Sequence, residues 1–186
     1  QKGYWKEVKK ICKKYNIHLI LDEIYCGMGR SGKMFNFAWD GVDPDFVCTG
    51  KNTTSGTIPF SFVMSNKNFE NIILNKIGRV NLGHTFQGHS LGVAAANTVI
   101  DIINKKNLLK RVSSLGNYIQ NILHTELKNN HFFSNVRGRG FAVALEHKVN
   151  KSTLFANDLK KIMLNEHKIL INSKFHRSSF LPPFII

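Results

Sequence analysis

The spacing of apolar residues along the chain predicts its helices and strands. An amphipathic helix is predicted over residues 4–15, because apolar residues recur there at helical spacing: Tyr4, Trp5, Val8, Ile11, Cys12 and Tyr15. Short apolar runs bounded by polar residues are typical of buried strands. The other predicted elements are strands at 18–21, 46–49, 59–64 and 169–171, a strand pair at 136–145, and helices at 67–77, 90–103, 108–123 and 153–166.

The order of these elements predicts two domains. Strands and helices alternate through the first hundred residues, which favours an α/β architecture with a mostly parallel sheet and flanking helices. The later elements favour a smaller α+β unit. We therefore expect a domain of residues 1–103 and a small C-terminal domain of residues 104–186.

Composition excludes several classes of protein. Of the 186 residues, 42% are hydrophobic and 20% charged, which is ordinary for a globular chain. The net charge of +14 permits an anionic partner. Because the basic residues are spread along the whole chain, we do not expect nucleic acid as a partner. The sequence has no apolar run of about 18 or more residues, so we do not expect a membrane either. The three cysteines contain no CxxC pair, which argues against a zinc site and predicts a reducing, cytoplasmic location.

Both ends of the sequence lead us to expect a fragment. The chain begins at Gln1 rather than Met, and it ends inside the apolar run FLPPFII, where a strand is expected to continue.

A glycine-rich stretch, Gly27–Gly32 (GMGRSG), matches the pattern G-x-G-x-x-G. A dinucleotide-binding turn requires such a stretch to follow directly on a strand and to open a helix. Here five residues separate it from the predicted strand, and no helical pattern follows. We therefore expect a tight connection that brings the backbone close to another part of the protein.

Two charged residues are predicted to share one edge of the first sheet. Asp22 comes directly after the strand 18–21, and Lys51 follows the strand 46–49. A lysine desolvated at such an edge can serve as an amine nucleophile. A nearby carboxylate can hold a cationic ring nitrogen. This pair of groups is what a pyridoxal phosphate site requires.

The segment 83–90 (GHTFQGHS) precedes a predicted Ala-rich helix that we expect to be buried. A threonine hydroxyl and backbone N–H groups near a helix start suit a phosphate. Ordinary capping of the helix by Ser90 is the alternative. His84 and His89 are interpreted as structural or as lining a site.

Five motifs in the same order resemble the class III aminotransferases, the ω-type branch of the fold type I pyridoxal phosphate enzymes. The stretch 22–32 (DEIYCGMGRSG) is similar to the family signature D-E-V-x-x-G-x-G-R-[ST]-G. The other four are 43–51, with P-D before the lysine, the histidine–threonine segment 83–89, 136–140 (VRGRG) and 180–184 (FLPPF).

The resemblance implies roles for five residues. Lys51 is expected to form a Schiff base with pyridoxal 5'-phosphate, and Asp22 to pair with its ring nitrogen. Ile24 is expected to pack against the ring, and Tyr25 to lie near the ring hydroxyl. Thr85 is expected to contact the phosphate from the neighbouring subunit of a homodimer. No metal is expected.

The sequence also departs from the family pattern. The lysine is followed by Asn52 and Thr53 rather than by glycine and an aliphatic residue. Ser179 occupies the position where some members have an arginine that holds a substrate carboxylate. The family's first half, with its phosphate loop and stacking aromatic residue, is absent from this chain.

The resemblance implies transfer of an amino group from an amine or amino acid to an oxo acid. Two alternatives remain open. The first is another reaction on the same scaffold, by an aminomutase or a racemase. The second is a basic binding module without enzymatic activity, which predicts strongly salt-dependent nucleic-acid binding.

Overall fold

The computed structural model describes residues 3–80, 83–149 and 153–186, which form two compact units. Unit 1 contains residues up to Gly29 and residues 33–106. Unit 2 contains residues 107–186 together with the three residues 30–32.

Unit 1 is built on a three-stranded sheet. After helix α1 (Tyr4–Lys14) come the strands β1 (Ile20–Asp22), β2 (Phe46–Thr49) and β3 (Phe62–Ser65), in that order across the sheet. The pair β1–β2 is parallel, as predicted, whereas β3 runs antiparallel to β2. Trp5, Val8 and Cys12 of α1 pack on a core of Leu19, Leu21 and Val42. Only part of the predicted apolar stripe meets this core, because its other members, Tyr4, Ile11 and Tyr15, are exposed.

The rest of unit 1 is helical, with two differences from the prediction. Helix α2 (Lys67–Ile72) changes into a π-helix (Ile73–Ile77), so the region predicted as one helix has two geometries. Helix α3 (Ser90–Lys105) buries only Gly92, Ala96 and Ile103 among its described residues. The prediction that this helix is buried is therefore wrong within unit 1, where most of its residues, Ala94 among them, face outward.

The carboxylate of Asp45 connects three elements of unit 1. Its Oδ2 accepts hydrogen bonds from the Leu19 N–H at 2.7 Å and from the Lys9 ammonium at 3.2 Å. Its Oδ1 accepts one from the Asn66 side chain at 3.0 Å. Burial raises the pKa of this carboxyl, but the Leu19 and Lys9 donors outweigh that effect and hold the pKa below its usual value.

Unit 2 consists of an antiparallel sheet and two helices. Helix α4 (Leu108–Glu126) is followed by β4 (Phe133–Arg139), β5 (Ala142–His147), α5 (Thr153–Asn165), β6 (Asn172–Lys174) and β7 (Arg177–Phe180). The strand order is β4-β5-β7-β6. The predicted strand pair around residues 136–145 is confirmed as β4 and β5. Val136, Val143 and Leu145 form the core against α4.

Two predictions for the end of unit 2 are wrong. The last predicted strand, 169–171, lies just before β6, and the strand expected to continue through 180–186 ends at Phe180. Strand β7 ends two residues before Pro182, which has no backbone N–H to extend a ladder. The predicted strand 169–171 is displaced because the interior beside β6 and β7 is polar. The His147 imidazole Nε2 lies 2.9 Å from Ser178 Oγ, which donates to Ser173 Oγ at 2.9 Å, and all three side chains are buried.

Candidate active site

The parallel pairing of β1 and β2 brings the two predicted charged residues to one edge of the sheet. Asp22 lies opposite Cys48 in register, and the Glu23 N–H donates to Cys48 O at 2.9 Å. Both strands end here, and Lys51 follows two residues after β2. The carboxyl ends of parallel strands are a common place for ligands in α/β proteins.

A turn stabilised by threonines presents Lys51. Thr53 and Thr54 are buried, and their hydroxyls donate to Gly50 O at 3.0 Å and Ile58 O at 2.6 Å. Lys51 itself has φ +46°, a left-handed conformation that is uncommon outside glycine. Such backbone strain concentrates at functional sites, where surrounding contacts hold it.

The sequence led us to expect a desolvated lysine, but Lys51 is exposed in the structure. The reason is local. The two threonines turn inward from the short 3-10 turn, and the lysine side chain stays on its outer side. The amine is thus accessible to a ligand, and the described residues do not desolvate it.

Ile24 and Asp22 lie beside the lysine turn. A Cβ added to Gly50 would lie 3.4 Å from Ile24 Cγ2, so Ile24 covers the glycine that precedes Lys51. Asp22 is exposed, and its Oδ1 accepts a hydrogen bond from the Ile24 N–H at 2.9 Å. This bond fixes the carboxylate at the start of the loop. Tyr25, the next residue, is 45% exposed.

Glu23 has a structural role that the sequence analysis missed. Its buried carboxylate accepts hydrogen bonds from the Asn36 and Phe37 N–H groups, at 3.0 and 2.9 Å. It therefore caps the 3-10 helix Asn36–Trp39. The adjacent acids Asp22 and Glu23 were the signal in the sequence, because neighbouring side chains at a strand end point in opposite directions and only one of the two can face solvent.

The thiol of Cys26 is not activated by its surroundings. Burial, followed by the charges of Glu23 and Asp22, raises the pKa of this thiol, which disfavours a reactive thiolate.

A cavity of about 920 Å³ opens beside Lys51, entirely within unit 1. Its lining includes Lys51 and Ile24 among the predicted site residues, and it includes both His84 and His89. Asp22, Tyr25 and Thr85 are not among its lining residues. The remaining wall is mostly apolar and includes Ile58, Phe60, Phe62, Phe86 and Val93.

The segment 83–89 forms one side of this cavity. The alternative interpretation, in which Ser90 caps α3, does not hold, because His89 is the N-cap and its Nδ1 accepts the hydrogen bond from the Gly92 N–H at 3.0 Å. His84 makes a similar bond, because its Nδ1 accepts a hydrogen bond from the Phe86 N–H at 3.2 Å. Thr85, between them, is exposed.

The glycine-rich stretch 27–32 makes the close backbone approach that was predicted for it. Its last three residues, 30–32, pack within unit 2 against the turn between β4 and β5. Gly140 in that turn has φ +54°, and a Cβ there would lie 2.6 Å from the carbonyl carbon of Ser31. Only glycine fits this contact, which accounts for the glycine that ends the VRGRG motif.

Arg30 connects this stretch to the end of the chain. Its guanidinium Nη1 donates to Pro182 O at 2.7 Å, and its Cζ lies 4.7 Å from the centre of the Phe184 ring. Its carbonyl accepts a hydrogen bond from the Phe141 N–H at 3.0 Å. Phe141 is fully buried, so the arginine of the signature stabilises the interior of unit 2.

Among the described residues, no helix has the length and apolar character needed to cross a membrane. The same residues contain no group of three or more histidine, cysteine or acidic side chains arranged to hold a metal ion.

Comparison with known proteins gives one consistent result. A family model described as aminotransferase class-III matches residues 1–186. The chain is 34% identical to an ornithine aminotransferase of Macrococcus caseolyticus, with 99% of this chain and 44% of the relative covered. It is 33% identical to an adenosylmethionine-8-amino-7-oxononanoate aminotransferase of Staphylococcus aureus, over 97% of this chain and 42% of the relative.

A solved structure agrees with these relatives. An ornithine aminotransferase from Toxoplasma gondii, described as having partial occupancy of PLP at its active site, matches with a TM-score of 0.87 and 29% identity. The match covers all of this chain and 43% of that one. The chain thus spans less than half the length of these proteins.

Proposed function

The chain belongs to the class-III aminotransferases, and from this membership we propose that the protein transfers an amino group from an amine or amino acid to an oxo acid with pyridoxal 5'-phosphate (PLP). The observation that carries the proposal is the exposed Lys51 amine, which is held in a strained turn at the carboxyl edge of a parallel strand pair and lines a large cavity.

The residues present fit PLP by their chemistry. An accessible primary amine can bind the aldehyde carbon of the cofactor, and the lysine turn supplies one. Asp22, on the neighbouring strand end, is suited to accept the N–H of a protonated pyridine ring. Ile24, which covers Gly50, offers an apolar surface for one ring face. Tyr25 is proposed to lie near the ring hydroxyl.

Lys51 has two tasks in this proposal. Its Nζ would hold the cofactor at the aldehyde carbon, and as a free amine beside bound substrate it would accept the proton from the substrate Cα. PLP, when bound, supplies the electron-withdrawing ring that stabilises the charge left on that carbon. Asp22, as a carboxylate, keeps the ring nitrogen protonated.

We further propose a homodimer in which Thr85 contacts the phosphate bound by the partner subunit. Exposed apolar side chains in and after the segment 83–89 support a partner surface there. Phe86 is 75% exposed and Leu91 is 68% exposed. Exposed apolar patches of this kind mark interaction surfaces. Light scattering of the full-length protein tests the dimer.

The proposed location is the cytoplasm. Its support is that Cys12, Cys26 and Cys48 are all free thiols, as expected for a protein of a reducing compartment.

The decisive experiment identifies the lysine that binds PLP. The full-length protein is incubated with PLP, reduced with borohydride, digested and analysed by mass spectrometry. We expect the label on Lys51, its loss in Lys51→Arg and its retention in the control Lys67→Arg, which changes an exposed lysine after β3. A label on another lysine, or none, would contradict the proposal.

A second assay separates transfer from the other PLP reactions. Net formation of a new amino acid from an added oxo acid is expected of an aminotransferase. An aminomutase or a racemase converts the donor alone, without an acceptor.

A further inference from the structure

We propose that Thr53 is a positioning residue for Lys51: its hydroxyl holds the lysine backbone in the conformation that presents the amine to the cavity. The inference rests on the function proposed above, because it takes Lys51 Nζ as the atom that reacts with PLP. It also gives a role to a residue at which the sequence departs from the family pattern, since Thr53 stands where an aliphatic residue is usual.

The carbonyl of Gly50 accepts two hydrogen bonds from Thr53. One comes from the Thr53 N–H at 3.1 Å and the other from its hydroxyl at 3.0 Å. This carbonyl and the Lys51 nitrogen belong to one planar peptide unit. The two bonds therefore fix the plane on one side of the Lys51 N–Cα bond, which is the bond that φ describes.

Lys51 needs such contacts to keep its backbone conformation. Its φ of +46° lies in the left-handed region, where the Cβ of an ordinary residue crowds the carbonyl oxygen that follows it. The right-handed alternative has φ near about −63°, so relaxation would rotate this bond by roughly 110°. The Cα–Cβ bond of Lys51 would then take another direction, and the amine at the end of the side chain would move with it.

The hydroxyl of Thr53 acts where water cannot easily replace it. Thr53 is fully buried, and Ile24 covers the other side of the Gly50 peptide, because a Cβ at Gly50 would lie 3.4 Å from Ile24 Cγ2. The far end of the turn is held separately, by the Thr54 hydroxyl that donates to Ile58 O at 2.6 Å. Loss of the Thr53 hydroxyl would thus leave one bond of a shielded carbonyl unmade and free the lysine peptide alone.

Three variants separate the hydroxyl of Thr53 from its bulk. Thr53→Val removes the hydroxyl and keeps the branched shape, whereas Thr53→Ser keeps the hydroxyl. Thr49→Val is the matched control, because Thr49 is similarly buried and its hydroxyl donates to a backbone carbonyl outside the lysine turn, Phe62 O at 3.1 Å. If the valine variant does not fold, Thr53→Ala takes its place in the comparison with Thr53→Ser.

Two labelling reactions of the full-length protein separate the direction of the amine from its accessibility. The first is the rate at which PLP binds Lys51 below saturation, measured by quenching with borohydride at set times. We expect a rate about tenfold lower in Thr53→Val and a normal rate in Thr53→Ser and Thr49→Val. The second is acetylation of Lys51 by acetic anhydride, a small reagent that reaches an exposed amine from any side, and we expect no change in any variant.

The labelling results also state what would overturn the inference. An equal loss of both reactions in Thr53→Val would mean that the amine has become inaccessible rather than misdirected. An equal loss of PLP binding in Thr49→Val would mean that any buried hydroxyl of this sheet has the same effect. A normal PLP rate in Thr53→Val, or a low one in Thr53→Ser, would show that the hydroxyl is not the group that matters.

Hydrogen exchange without PLP gives a readout that does not depend on the proposed reaction. The amides of Thr53 and Ser55 each close a hydrogen bond within the turn. In the peptide of residues 51–55 we expect faster exchange in Thr53→Val than in the wild type, and unchanged exchange in Thr53→Ser and Thr49→Val. If Lys51 of the wild type takes no PLP label, the proposed function fails and the role of Thr53 toward PLP fails with it. A normal wild-type label together with unchanged exchange in Thr53→Val would overturn this inference alone.

Discussion

Removal of the Asp45 carboxylate should destabilise unit 1 by an amount that follows from its three hydrogen bonds. The bond to the Lys9 ammonium is partly exposed, with side-chain exposures of 32% and 16%, and contributes at most about 1 kcal/mol. The bonds from Leu19 and Asn66 reach a charged acceptor, and such bonds contribute about 1.5–3 kcal/mol each. Partial replacement by water lowers the total, so we expect Asp45→Ala to cost about 2–4 kcal/mol.

Hydrogen exchange measured by mass spectrometry is the suitable assay, because it reports the local free energy of opening of α1 and β1 in the full-length protein. The control is Asp43→Ala, an exposed acid two residues earlier that makes no hydrogen bond within the described residues. Its expected effect is within about 0.5 kcal/mol. Equal protection of β1 in the two variants would refute the reasoning.

The pH dependence of the same effect tests its electrostatic part. Since the folded-state pKa of Asp45 lies below its usual value, the stabilisation is present above the unfolded-state pKa of about 3.9 and disappears as the pH falls through the folded-state pKa. The difference in stability between the wild type and Asp45→Asn should therefore shrink below about pH 4. A difference that stays constant down to pH 2 would exclude the charge as its source.

Three further substitutions test other contacts. Gly140→Ala should lower the thermal midpoint of unit 2 by several degrees, since its Cβ would overlap the Ser31 backbone. The control Gly41→Ala has φ +61° but nothing within 4 Å of the added Cβ, so it should cost only the backbone strain of about 1 kcal/mol. Equal losses of stability in the two variants would contradict the packing argument. Burial lowers the pKa of His147, so unit 2 should lose stability as the pH falls below the unfolded-state pKa of about 6.5. Calorimetry should show a weaker dependence of stability on pH in His147→Gln than in the wild type. An unchanged pH dependence would mean that another group is responsible. Glu23→Gln keeps only one acceptor oxygen and should speed amide exchange at the start of the 3-10 helix that follows the glycine-rich stretch, whereas unchanged exchange would show that this cap is dispensable.

The apolar pattern predicted those elements whose buried face is apolar. Helix α1 and strands β2, β4 and β5 lie close to their predicted positions. For α1 the visible pattern is the apolar stripe of Trp5, Val8 and Cys12, and for β5 it is the alternation of buried and less buried residues along the strand. The fold type I likeness could likewise be predicted, because the motifs are local strings of residues.

Strands β6 and β7 could not be found in this way. Their buried positions, Ser173 and Ser178, are polar and are satisfied by hydrogen bonds to each other and to His147. Such a strand has no alternation of hydrophobic and polar residues, so the sequence pattern placed a strand at the neighbouring apolar residues 169–171 instead. Leu170 in that run is 75% exposed.

The site was predictable in part for the same kind of reason. Asp22 and Lys51 were predicted to share one edge of the sheet because each follows a strand of a parallel pair, and the parallel pairing of β1 with β2 confirms this. Their roles toward PLP stay predictions. The exposure of Lys51 and the capping by His89 depend on side-chain directions in turns, which neither periodicity nor motif spacing reports.

The packing of residues 30–32 within unit 2 has a consequence for the order in which the protein folds during synthesis. These three residues leave the ribosome more than a hundred residues before Gly140, Phe141 and Pro182, with which they or their neighbours make contact. Unit 2 therefore cannot complete its interior until the chain has been made through Pro182, and a polypeptide of residues 107–186 alone would lack part of its own packing. Contacts of such long sequence separation slow folding, so nascent chains should depend on this late closure.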